Sequence, residues 1–133
     1  MPFCSESHPV PVPSLPPETL DRHLNLDHLR QISEGNLDFE RDLLEVFLED
    51  SWLHLARLQE AIATPNPHQF HHSAHHLKGS SANVGAIQIQ AIAQHLEHLA
   101  RHPSFATTLP QSIPLLTQLE TALHHLKTLL THP

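Results

Sequence analysis

The chain has no tyrosine, one tryptophan and only 5% aromatic residues, and its seven lysines and arginines stand against fourteen acidic residues for a formal net charge of −7. That is poor material for tracking phosphates along a groove or stacking bases, so nucleic acid is not an expected partner. A single cysteine, Cys4, excludes an internal disulfide and a thiolate metal cluster, and it fits a reducing cytoplasm. With three glycines in all, there is no glycine-rich phosphate loop ahead of a helix. Nor do Ser, His and Asp fall in a hydrolase order. No nucleotide site is expected, and the protein is not expected to be an enzyme in its own right. No apolar run approaches the roughly 18 residues that span a bilayer, and the N-terminus lacks the basic start and apolar core of a signal peptide. The reading is a soluble, cytoplasmic protein with no membrane contact.

Proline is plentiful at one end and histidine throughout. Six of the twelve prolines lie between Pro2 and Pro17, a density that blocks helix and favours an extended tether, so residues 1–25 read as a flexible leader. From Leu26 onward the apolar residues fall at helical spacing, and residues 26–133 read as one domain. A short helix over Asp27–Ser33 closes at Gly35. A long one starts from an Asp38 N-cap, carries Phe39, Leu43, Val46, Phe47, Leu55, Leu58 and Ile62, and ends before Pro65. Its Glu40, Glu45 and Glu49 read as a solvated face. Asn66 and Pro67 then form a cap and first turn, and Phe70, Ala74, Leu77, Ser81 and Val84 trace one stripe that Gly85 stops. Gly85, Ile89, Ile92, Leu96 and Leu99 repeat the spacing. Leu116, Leu119, Leu123, Leu126 and Leu130 do so again after a Ser112 cap and Pro114. Strand-like alternation is missing, so the economical way to bury four stripes is an all-α, antiparallel up-down four-helix bundle with the short helix added at its N-terminus.

The segment HHSAHHLKGSSANVGA, His71 to Ala86, packs four histidines into six positions ahead of Lys78 and Gly79. At about 100° per residue, the Phe70–Val84 stripe is centred nearly opposite His75, which places His75 mid-way across the water-facing surface. Side chains on a helix lean toward its N-terminus, so residue 79 would ordinarily overlie residue 75, and glycine has nothing to lean. A mid-helix glycine costs roughly 1 kcal/mol relative to alanine, and a local rule broken in this way points to function. Lys78, at i+3 and one of only two lysines, can bring an ammonium to whatever the ring acquires. Neutral imidazole, with a pKa of about 6.5, dominates at pH 7 and can attack phosphorus without a separate base. The phosphoryl group would add about −1.5 to −2 charge, which a lysine offsets in part. The neighbours fit this chemistry less well. His76 is rotated toward the bundle flank, and His71 and His72 have His75 and His76 at i+4 instead of glycine.

Ala74, His75, Leu77, Lys78, Gly79 and Ser80, followed by Gly85 and Ala86, resemble the signature of the histidine-containing phosphotransfer (HPt) domain, Ala-His-x-Leu-Lys-Gly-Ser and then a Gly-Ala pair. A weaker likeness runs from Leu26 to about Leu130 and includes LNLDHLRQI and the Leu96-Glu97 pair. The resemblance implies a four-helix bundle with a short N-terminal helix. It implies His75 as phosphoacceptor, Lys78 as charge partner of the phosphoryl group, and Gly79 as the clearance that admits a response-regulator receiver domain. The implied partners are receiver domains and a hybrid histidine kinase. Mg²⁺ and the acceptor aspartate would belong to the receiver, leaving this chain, an expected monomer, with no cofactor of its own. His68, His71, His72 and His76 depart from the mixed polar residues usual around such an acceptor.

A rival reading is a His-rich metal-binding bundle, because His71/His75 and His72/His76 are i, i+4 pairs able to grip Zn²⁺ or Cu²⁺. It accounts for neither Lys78 nor Gly79. A passive interaction bundle is a further alternative, and a di-iron bundle would need inward Glu and Glu-x-x-His pairs on several helices.

Overall fold

The computed structural model describes residues 24–131; the expectation of a flexible leader falls on residues outside them, apart from Leu24 and Asn25. Five helices follow one another: α1 (Leu26–Ser33), α2 (Leu37–Ala63), α3 (Pro67–Val84), α4 (Ile87–Ala100) and α5 (Phe105–Thr131), with no strand among the described residues. Helices α2 to α5 close a ring in which each packs on the next and α5 returns to α2. Connections this short force sequential helices to run antiparallel, which gives the expected up-down bundle. Leu58, Phe70, Leu77, Leu96, Leu119 and Leu123 are wholly shielded from water at its centre. Burial of each such side chain contributes about 1.5–3 kcal/mol.

The helix starts are set by asparagine. Asn25, Asn36 and Asn66 each accept a hydrogen bond in the first turn of α1, α2 and α3, from the backbone N–H of His28, Phe39 and Gln69 respectively. The N-cap of α2 is therefore Asn36, not Asp38, and Asp38 instead lies in the first turn, where its charge favours the helix N-terminus. At the other end of α3, Gly85 takes φ 76°, and the N–H of Ala86 donates to Ser81 O at 2.8 Å, closing the helix as expected. Helix α1 latches onto this turn. Asn25 N–H donates to Gly85 O at 2.7 Å, the His28 ring meets Asn83 O at 2.9 Å, and Leu24 and Leu29 enter the core.

Three further expectations need correction. In α2 the buried face is Leu44, Phe47, Leu48, Ser51, Leu55 and Leu58, whereas Phe39 and Val46 are exposed. The helix carries two apolar stripes, and periodicity alone does not say which one meets the bundle. Glu40 is buried instead of solvated, accepting a 2.8 Å bond from Ser33 Oγ with Arg30 nearby, and so pins α1 to α2. The last helix begins at Phe105 and runs through Pro110 and Pro114, and Ser112 is a buried interior residue, not a cap. Both prolines are exposed, so the carbonyls they leave without an intrahelical donor face water. Phe105, Thr108 and Ser112 extend the leucine stripe backward by about three turns.

Candidate functional site

Phe70, Ala74, Leu77 and Ser81 of α3 are fully buried, and the helical repeat carries His75 outward with 65% of its side chain exposed. A Cβ built on Gly79 would meet nothing within 4 Å. The glycine thus answers no packing demand of this chain, and the space above the His75 ring is open. His75, Lys78 and Gly79 share one surface, as their spacing predicts.

Glu97 organises this surface. It projects from α4, follows the core residue Leu96 and shares a helix flank with buried Ala93, so its side chain is only 3% exposed. Its Oε2 lies 2.6 Å from His75 Nδ1 and its Oε1 lies 2.6 Å from Lys78 Nζ. Arg101 and His71 each approach Oε2 to 3.5 Å. Burial by itself would raise the Glu97 pKa, but hydrogen bonds from Lys78 and His75, together with their charges, outweigh it and hold the group at about 2. The carboxylate is therefore ionised at neutral pH and can only accept, so Nδ1 of His75 carries the proton and donates it. In a neutral ring that leaves the lone pair on Nε2, the nitrogen facing away from Glu97. Such a group is an exposed nucleophile of fixed tautomer with a cation three residues on.

The flank predicted for His76 is where it lies. Its Nε2–H donates to Asp50 Oδ2 of α2 at 2.7 Å, and its ring stacks on buried His54 with centroids 4.1 Å apart. Burial, with His76 adding to it, pushes the His54 pKa below its ordinary value despite the pull of Asp50. The i, i+4 pairs of α3 are divided between these two networks, His75 engaged with Glu97 and His76 with Asp50. Half-buried Asp50 lies on a stripe of α2 with exposed Phe39, Val46 and Leu53 and half-buried Leu43, so apolar surface runs beside the histidines.

The residue that the sequence reading left without a role is Glu97, which it met only as half of the Leu96-Glu97 pair. The available signal was a carboxylate one position off a buried stripe, four residues after a small core alanine. Asp50 and His54 were likewise not singled out, because their partner lies on another helix.

No curated protein matches the chain. Among solved structures, the histidine-containing phosphotransfer protein B (HptB) of Pseudomonas aeruginosa PAO1 superimposes with a TM-score of 0.72 at 28% identity, over 82% of this chain and 91% of that one. The Hpt domain model matches residues 42–129, from the first turns of α2 to the end of α5, and so takes in the tethered histidine, the glycine above it and the buried glutamate on α4. By that match and that bundle, the chain belongs to the Hpt domain family of histidine phosphotransfer proteins.

Proposed function

We propose that the protein is a phosphocarrier whose His75 takes a phosphoryl group from the phospho-aspartate of one receiver domain and gives it to the aspartate of another. The observation that carries this reading is the exposed His75 ring, held by Glu97 through Nδ1 at 2.6 Å under the open space at Gly79. Nε2 attacks phosphorus, the acyl-phosphate P–O bond breaks, the aspartate leaves as a carboxylate, and an N–P bond forms. Onward transfer is the reverse at a second receiver. As positive charge builds on the imidazole, the Glu97 carboxylate stabilises it, and Glu97 is thus a positioning residue acting through His75. Lys78 and Arg101 against Glu97 leave one excess positive charge to meet the phosphoryl oxygens. The receiver supplies its own Mg²⁺ and aspartate, and this chain supplies an oriented nucleophile.

For the receiver we assign the face where the exposed apolar stripe of α2 runs beside α3, because Asp50 in that stripe touches His76, the neighbour of His75. The test is to incubate the protein, freed of transition metals, with a panel of phosphorylated receiver domains in Mg²⁺ and to follow acid-labile, alkali-stable label. Label that reaches the wild type but not His75→Gln supports the reading. Label that persists in the variant moves the site to another histidine.

A further inference from the structure

We propose that Asp50, His54 and His76 form a binding site for a divalent transition-metal ion of the zinc class, bridging α2 and α3. One ligand atom from each residue lies within 4.8 Å of the others. The Asp50 carboxylate is 2.7 Å from His76 Nε2 and 3.7 Å from His54 Nε2. A tetrahedral zinc ion with bonds of about 2.0–2.2 Å holds its ligand atoms roughly 3.3 Å apart, between those two separations. Coordination therefore requires the half-exposed His76 ring to turn, giving up its stack on His54 and its hydrogen bond to Asp50 for bonds to the ion. The ion then takes the place of the His76 Nε2 proton, which passes to Nδ1 and leaves the imidazole neutral.

His54 gives the independent sign that something belongs here. Its side chain is 5% exposed, Nδ1 has no hydrogen-bond partner, and Nε2 points at Asp50 from too far for a hydrogen bond. A buried imidazole with one nitrogen unpartnered is unusual in a folded protein, and a metal bond to Nε2 would hold this ring to Asp50 in place of the long 3.7 Å ion pair. Asp50 and His76 stand at the surface, so the ion enters from solvent and water completes its coordination. Two imidazoles with one carboxylate suit zinc and its neighbours, whereas Mg²⁺ and Ca²⁺ prefer oxygen. This site differs from the pairs along α3, since its ligands come from two helices.

The site borders the face assigned to the receiver, but metal binding is tested without any receiver, so the two readings fail separately. The experiment is calorimetric titration of the full chain with Zn²⁺, on wild type, Asp50→Asn, His76→Gln and a His68→Gln control, each checked for helical content. Long-range ¹⁵N–¹H spectra of the imidazoles are recorded at one equivalent. One tight site, weakened at least tenfold in Asp50→Asn and His76→Gln but kept in His68→Gln, with shifts at the His54 and His76 ring nitrogens, is the expected result. A tight site that survives in both variants, or only weak uptake spread over many histidines, overturns the proposal.

Discussion

An imidazole in water carries its proton on either nitrogen and turns freely, so only part of its population at any moment presents a lone pair in a given direction. Glu97 removes that freedom at His75 by accepting from Nδ1 at 2.6 Å, which commits the lone pair to Nε2. Replacing Glu97 by alanine should therefore slow phosphoryl transfer by roughly 10- to 100-fold, the scale on which lost outer partners of ligating imidazoles act. Stopped-flow transfer from a phosphorylated receiver measures it. Gly79 offers the complementary case. With nothing within 4 Å of an added Cβ, Gly79→Gln fits the fold and even removes the roughly 1 kcal/mol penalty of a helical glycine. The same side chain would cover His75. Transfer should fall at least tenfold, about 1.4 kcal/mol on the barrier, while the melting temperature holds or rises. A variant that loses both together would show Gly79 to be structural.

At the scale of helices, legibility depended on how many faces each segment could bury. Helix α3 has one apolar stripe, and Phe70, Ala74, Leu77, Ser81 and Val84 are all buried, as their spacing predicts. Helix α2 has two, so the spacing of Phe39 and Val46 also predicts burial, although both are exposed. The choice between the stripes is made by the rest of the bundle, which no local window contains. The early start of α5 was hidden by Pro110 and Pro114, since proline ends a helix unless its ring and the carbonyl it strands can face water. Gly85 was legible as a stop signal, but not as the seat of α1. Its φ of 76° is unfavourable for any residue with a Cβ, and that Cβ would lie 3.0 Å from Asn25 O and 3.2 Å from Asn25 Cβ. Gly85→Ala should cost about 1–2 kcal/mol from the backbone alone, seen as a lower urea midpoint with unchanged slope.

Across the whole molecule, α3 converges with α4 on one side and with α2 on the other, so the proposed residues His75, Lys78 and Gly79, which share one helix, are legible in a local window, whereas their contacts with Glu97 and Asp50, and the place of His54, depend on other helices. The ionised Glu97 ties this convergence to stability. Its folded pKa of about 2 lies below the ordinary carboxylate value, so its contribution is fully present above about pH 4.3 and is lost as pH falls through about 2. The gap in unfolding free energy between wild type and Glu97→Gln should accordingly be level above that upper bound and close toward pH 2, as urea titrations across this range would show. The most direct test of the account is to phosphorylate the protein through a receiver and identify the modified nitrogen by ³¹P and long-range ¹⁵N–¹H NMR. Because Glu97 holds Nδ1, the phosphoryl group should be on Nε2 of His75. Phosphorylation of His75 at Nδ1, or of any other histidine, would contradict it.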